Sequence, residues 1–408
     1  MESVEIGAAR EEELDAIIRL MSEAFHLNYH SAREICLADP YLDLENKRVL
    51  RIEGRIVSCL TLVDVQCWLG SRVVRLAGVA GVATLPSEQR RGYAGLLLQD
   101  TLRLIAERGY ALSALLPFSR DYYRKFGWEL GSTVCRHQLL PSHLLPYPEC
   151  KNLRPATLDD IPALSNIYTS QTAEHTLQCL RDTTRWQYVL ALMKQSLVYD
   201  SPTEGVTGYL LYEFRQGAEE GSLPLLRVLE QIAITEEAER GLWGFLAQQE
   251  RVSLIEWDAE VGELSCLLGH LEHSDSAVPG VALVGAIMTR LVCAEKVLEA
   301  LRKRWRRFQG KLALVISDAL LHEEPLAFLV SGNGQECSIS PLTLAEANAL
   351  EHRLEGKVGA WSQVLTGFRS GGSACSLGHL SASSPLAAVY ASALFLRSAP
   401  FLSPVDHF

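Results

Sequence analysis

The pattern of apolar and polar positions divides the first third of the chain into alternating strands and helices. Arg48–Ile52 and Ile56–Val63 are β-rich runs on either side of a Glu-Gly pair, a hairpin signal. Val73–Thr84 (VVRLAGVAGVAT) is a long run of small and β-branched residues and predicts a buried strand. Leu96–Arg108 repeats apolar residues at helical spacing, Ala111–Leu116 predicts a further buried strand, and Tyr122–Gly127 a turn or helix. Toward the other end the same reading gives helices over Ala294–Phe308 and Thr343–Arg353, strands over Leu312–Ser317 and Leu326–Ser331, and a helical stretch over Pro385–Leu394.

Two breaks interrupt this pattern. Pro141, Pro146 and Pro148 crowd one short stretch, which fits neither a helix interior nor a central strand and so predicts a connector. A softer, polar and turn-rich break runs from Glu272 to Gly280. Three parts follow: 1–148, 149–283 and 284–408. The first two share a degenerate repeat. Residues 4–25 and 152–168 each read as a short strand, an alanine, an acidic cap and then apolar residues at helical spacing, with Ala9–Leu14 matching Ala156–Ile161. The acids stand where the positive end of the helix dipole would be.

Composition narrows the class without naming a reaction. A single core rarely exceeds roughly 250–300 residues, so 408 residues predict two or three domains. A hydrophobic share of 48% argues for a packed globular protein, and no apolar run of about 20 residues predicts a membrane span. The acidic N-terminal stretch lacks the pattern of a secretory signal, and the ten cysteines are scattered with no C-x-x-C pair. Reduced thiols and a cytoplasmic location are therefore expected. The net charge of -11 disfavours a general nucleic-acid binder and suits a cationic substrate. The basic cluster Arg302–Arg307 reads as a solvated helix face, since no aromatic stripe accompanies it. No spacing of His, Cys or Asp side chains suggests a metal.

The chemistry concentrates in Val79–Gly95 (VAGVATLPSEQRRGYAG). A strand ends at Thr84, Pro86 stops it, and Gln89-Arg90-Arg91-Gly92-Tyr93-Ala94 opens a helix. Backbone N–H groups at a helix start lack intrahelical partners and converge on an anion. Glycine and alanine at 92 and 94 let a pyrophosphate approach the backbone, and Arg90 and Arg91 add charge and donors. The pattern is neither a Walker loop nor G-x-G-x-x-G.

This loop after a V-A-T-x-P strand resembles the acetyl-CoA loop of the GCN5-related N-acetyltransferases (GNAT). Leu116–Trp128, with Tyr123-Arg-Lys-Phe126-Gly127-Trp128, resembles the tyrosine-bearing end of that fold. Together with Trp361–Phe368, Gly378-His-Leu, Pro400-Phe and the final Asp406-His407-Phe408, the whole length resembles the Eis-type (enhanced intracellular survival) acetyltransferases. The resemblance implies an α+β protein of two tandem GNAT-like mixed-sheet domains and a sterol-carrier-like α+β domain. It implies an acetyl-CoA-dependent N-acetyltransferase acting on a primary amine of a small cationic molecule, of aminoglycoside or polyamine type, by direct attack in a ternary complex. Backbone pairing of Val82, Ala83 and Thr84 with the pantetheine arm is implied, with Gln89 to Gly95 holding the pyrophosphate. Tyr123 matches the family's general acid, and the Phe408 carboxylate, folded back into the first domain, would orient the amine. A homo-oligomer, hexameric in the family, is expected, with no nucleic-acid or membrane partner. A protein lysine or N-terminal acetyltransferase and a lipid-binding protein are the alternatives.

The second part does not repeat the loop. Gln231–Trp243 carries acids where phosphates need positive charge, which predicts a scaffold without CoA. Aminoglycoside-acetylating relatives carry acids where this chain has His26 and His407, with Asp406 displaced by one step. That departure counts against an aminoglycoside acceptor.

Overall fold

The computed structural model describes residues 3–37, 43–193, 195–217, 221–260, 267–271, 280–284 and 287–408. Its first sheet grows from the long hairpin Arg55–Leu69 and Arg72–Thr84, whose alternation runs further than the sequence pattern predicts. Strand order is Val4–Ala8, Lys47–Ile52, Arg55–Leu69, Arg72–Thr84, Leu112–Leu115, Met288–Leu291 and Glu129–Leu130. Only the Arg72–Thr84 and Leu112–Leu115 pair is parallel, and the helix Tyr93–Glu107 forms its crossover. That helix buries Leu97, Leu98, Leu102 and Ile105 in a core with Leu60, Val79 and Leu115.

A second seven-stranded sheet repeats the plan, in the order Gly280–Val284, Val134–Leu139, Leu254–Ala259, Leu225–Ala233, Gly205–Arg215, Gln195–Ser201 and Leu153–Pro155. Again one central pair is parallel, Leu225–Ala233 with Leu254–Ala259, bridged by the helix Glu236–Ala247. The sequence repeat is also present. Val4–Ala8 and Leu153–Pro155 lead through short 3-10 turns, Glu11–Glu13 and Leu158–Asp160, into the helices Leu14–Phe25 and Ile161–Thr172. A five-stranded sheet, ordered Cys337–Leu342, Leu326–Asn333, Gln309–Ser317, Arg353–Lys357 and Leu380–Ala382, completes the fold as a further region of strands and helices.

The compact units follow the sheets rather than the proline punctuation. One comprises Met1–Ser132, Ile287–Pro400 and Phe408, the other Thr133–Ala286 and Phe401–His407. The chain divides at 132/133, not at 148, because Val134–Leu139 pairs with Leu254–Ala259 in the second sheet. Two of the prolines open 3-10 turns inside that second unit, Pro141–His143 and Pro148–Asn152, with Pro146 between them. Likewise the third part is not set off as a unit from residue 284. Its strand Met288–Leu291 pairs with Leu112–Leu115, and its remainder belongs to the first unit. Of the softer break, residues 272–279 lie outside the described residues.

Two helices are shorter than their periodicity suggests. Ala294–Leu301 gives way to a 3-10 turn, Arg302–Trp305, where Trp305 tucks in and its Nε1 donates to the Leu394 carbonyl. Leu344–Ala349 stops early because Arg353–Lys357 pairs in parallel with the apolar strand Gln309–Ser317. Tertiary pairing overrides local propensity in both places. No described helix is long and apolar enough to cross a membrane.

Candidate active site

The site begins where two parallel strands part. Arg72–Thr84 pairs with Leu112–Leu115 only as far as Val79, opposite Leu115. On its other side the pairing with Arg55–Leu69 continues to Thr84, opposite Ser58. Beyond Val79, therefore, Ala80–Thr84 is paired along one edge alone, and the other edge offers unmatched backbone groups to an extended ligand. A bulge sharpens the departure. Ala80 faces Thr61 and Ala83 faces Cys59, so Gly81 and Val82 together face Leu60, with Gly81 at φ +56°. Val82 and Thr84 lie at this edge and are partly exposed, while Ala83 is buried.

After Thr84 the chain turns through Pro86–Glu88 to the helix start. Gly92 is the N-cap, at φ +85°, and a Cβ built there meets nothing within 4 Å. No side chain caps this helix, and no acid lies in its first turn. Gln89, Arg90, Arg91 and Gly92 are exposed, and Arg90 also adopts a left-handed φ, +64°. The two arginines differ. Arg91 donates to Glu88 at 2.7 Å and lies 5.2 Å over the Tyr93 ring, whereas no ion pair joins Arg90 to another described residue. Tyr93 is buried in the core, Ala94 is partly exposed, and Gly95 packs against Phe126, whose Cζ would stand 3.3 Å from an added Cβ.

Tyr123 sits on a short helix, Arg120–Arg124, in a nest of rings. Phe118 and Tyr122 lie at 5.3 Å and Trp128 at 6.4 Å, centroid to centroid. Burial, with a lesser contribution from Tyr122, pushes its phenol well above the ordinary tyrosine range. It therefore keeps its proton across neutral pH. The turn behind it is braced by Arg290, fully buried, whose Nε donates to the Phe126 carbonyl at 2.7 Å and whose Nη2 pairs with Asp318 at 2.8 Å. Gly127, at φ +86°, is required here, since a Cβ would come within 2.8 Å of Val358 and 3.1 Å of Arg290. Neither Arg290 nor Asp318 was legible as part of this site. Their only signal is a lone charge, Arg290, in Ile287–Val292, a run that is apolar apart from Thr289.

Phe408 lies on the sheet at the point of parting. Its ring covers Gly78, and a Cβ on Gly78 would stand 2.8–2.9 Å from Cδ1, Cδ2 and Cε2. Gly78 directly precedes the last parallel-paired residue, Val79. The first unit thus brings together the splayed edge, the open helix start, Tyr123 and the Phe408 ring.

His26 is the exposed C-cap of the Leu14–Phe25 helix, at φ +54°. In the second unit His407 is driven below the ordinary histidine range by burial, and its Nε2 has no hydrogen-bond partner among the described residues. Asp406 does not replace the missing acids, because Arg181 at 2.8 Å and Arg185 at 3.5 Å hold it.

Comparison with known proteins bears on the class. Residues 5–131 and residues 178–283 each match a family model described as an acetyltransferase (GNAT) domain. The chain is 27% identical over 202 residues to "N-acetyltransferase Eis" of Mycobacterium bovis and of Mycobacterium tuberculosis, covering 46% of this chain and 49% of theirs. It thus spans about half the length of the curated relatives it matches. In fold it resembles a GCN5-related N-acetyltransferase from Anabaena variabilis, with a TM-score of 0.82 at 20% identity, both chains fully covered. Eis1 from Mycobacterium abscessus gives a TM-score of 0.74 at 21% identity, again over both full chains. The chain therefore carries two GNAT acetyltransferase domains in tandem.

Proposed function

We propose that the first unit is an acetyl-CoA-dependent N-acetyltransferase acting on a primary amine of a small cationic molecule. The observation that carries this reading is the Gly92 helix start, open, uncapped by any side chain and free of acids in its first turn, standing beside a strand edge paired on one side only. GNAT domains use acetyl-CoA, and these residues fit it. Backbone groups of Val82, Ala83 and Thr84 would hold the pantetheine arm by strand addition. N–H groups from Gln89 through Gly95, with the Arg90 charge, would hold the pyrophosphate.

When bound, acetyl-CoA supplies the thioester that the amine attacks. The residues do the rest. Tyr123, kept protonated by burial, serves as general acid and donates its phenolic proton to the departing thiolate. Burial holds the Tyr123 phenol above the ordinary pKa of about 10, so it would pass its proton to a thiolate, whose thiol has a pKa of about 8.5, only when aligned, and the rings around Tyr123 would hold it in one orientation. The Phe408 ring lies on Gly78, and its carboxylate would orient the amine and offset positive charge in the transition state. No cysteine nucleophile is needed, so direct transfer in a ternary complex is the reading.

The test is a thermal-shift titration with acetyl-CoA, followed by a free-CoA release screen over polyamines, aminoglycosides and lysine peptides. Stabilisation by acetyl-CoA and turnover with a small polyamine are expected. No shift at millimolar acetyl-CoA would overturn the reading, and turnover confined to lysine peptides would move the acceptor to protein.

A further inference from the structure

The second unit has a parted pair of parallel strands of its own. Leu225–Ala233 and Leu254–Ala259 pair only as far as Val228 and Trp257, while antiparallel pairing with Gly205–Arg215 carries on to Ala233. As in the first unit, a bulge follows the last parallel pair, with Leu229 as the extra residue. The strands leave a cavity of about 380 Å³ between Leu229–Ala233 on one side and Trp257–Glu260 on the other. Part of its wall is the chain itself, in Phe401 and Ser403.

The segment 401–407 is held there by bonds that a loose tail would not make. The Phe401 N–H donates to the Thr176 carbonyl at 3.1 Å, and the Ser403 hydroxyl donates to Glu230. Val405 enters the apolar cluster of Tyr168, Trp186 and Val189. At the centre is Arg181, whose side chain is 0% exposed. It grips Glu230 through both terminal nitrogens at 2.7 Å and Asp406 through Nε and Nη2, at 3.0 and 2.8 Å. It also lies 4.0 Å over the Tyr168 ring and 4.9 Å over Trp186. A buried arginine satisfied by two buried carboxylates is costly to leave half-paired, so losing Asp406 exposes the whole arrangement to rearrangement.

We infer that the second unit keeps its parted-strand groove for a ligand supplied by its own chain, the segment 401–407, and that Arg181 is the positioning residue that fixes this segment. The analogy with the first groove rests on the proposed acetyl-CoA reading; the anchoring of the segment does not. Asp406 is two residues from Phe408, so the anchor limits where residue 408 can reach.

Hydrogen exchange on the full-length protein tests this. In the native chain the amides of 401–407 should exchange slowly. In Asp406→Asn, which leaves the Arg181–Glu230 pair in place, they should exchange at least tenfold faster, and chymotrypsin should cut after Phe401. Peptides of the first unit and the acetyl-CoA thermal shift should not change, while kcat falls and KM for acetyl-CoA holds. Arg181→Met should release the segment further, and Asp406→Asn serves as the milder probe should that variant misfold. Native-like protection of 401–407 in a folded Asp406→Asn protein would overturn the inference. Loss of the acetyl-CoA shift in the native protein would instead sink the functional reading and leave the exchange result to stand by itself.

Discussion

The two crossover helices begin in opposite ways. In the first unit residues 85–92 form a loop between strand and helix, Gly92 caps with no side chain, and the first turn has no acid. In the second only Ile234 and Thr235 intervene after Ala233. Thr235 Oγ1 accepts from the Ala238 N–H at 3.2 Å, and Glu236, Glu237 and Glu239 occupy the first turn. One helix start has neither a capping side chain nor an acid in its first turn, and the other spends a first-turn donor and the positive end of its dipole on its own side chains. A shared fold carries no function by itself, and these two units differ in the local chemistry of one turn.

That contrast can be broken most sharply in the first unit. Gly92→Glu combined with Ala94→Glu should weaken acetyl-CoA more than 100-fold, read as loss of the thermal shift, because it recreates the acidic start of the second. Glu236→Gln with Glu237→Gln should create no acetyl-CoA binding, since the loop is still missing. Next in size, Tyr123→Phe should lower kcat about 100-fold with KM for acetyl-CoA little changed. Equal activity would return Tyr123 to the core.

The repeat positions Glu13 and Asp160 offer a finer comparison. Each acid closes the turn before its unit's first helix and holds an arginine, Glu13 with Arg51 at 2.6 Å and Asp160 with Arg154 at 2.8 Å. The Arg154 hydrogen bonds, against the opposing effect of burial, bring Asp160 down from 3.8 to about 2. The folded value lies below the unfolded one. The stabilisation is thus fully present above about pH 3.8 and is lost as pH falls from there toward 2. Asp160→Asn should cost on the order of 2 kcal/mol at neutral pH and flatten that part of the acid-unfolding curve. Smallest is Thr235→Ala, which should cost about 1 kcal/mol in denaturant melts and leave acetyl-CoA binding untouched.

Much of this was legible along the chain. The strand through Thr84 and the helix after Gly92 follow from local pattern, and so does the acidic helix start after Thr235, because turn chemistry and dipole preference act within a few residues. The strand–turn–helix repeat was also readable, with Ala9 and Ala156 in matching places. Other features depended on contacts distant in sequence. Val134–Leu139 and Met288–Leu291 each join a sheet that the proline pattern assigned elsewhere, because strand pairing is decided by a partner more than a hundred residues away. Arg290 behind Tyr123 reads in sequence as an arginine in a mostly apolar run, and Arg181 gripping Asp406 as one arginine of the polar stretch Arg181–Arg185. Their meaning depends on burial, and burial turns a lone charge into a fixed one only when the fold delivers its carboxylates. The sequence alone thus determined which helix start is glycine-capped and free of acids and which is threonine-capped and acidic. The tertiary structure alone decided which strands complete each sheet, what braces the tyrosine and where the segment 401–407 is held.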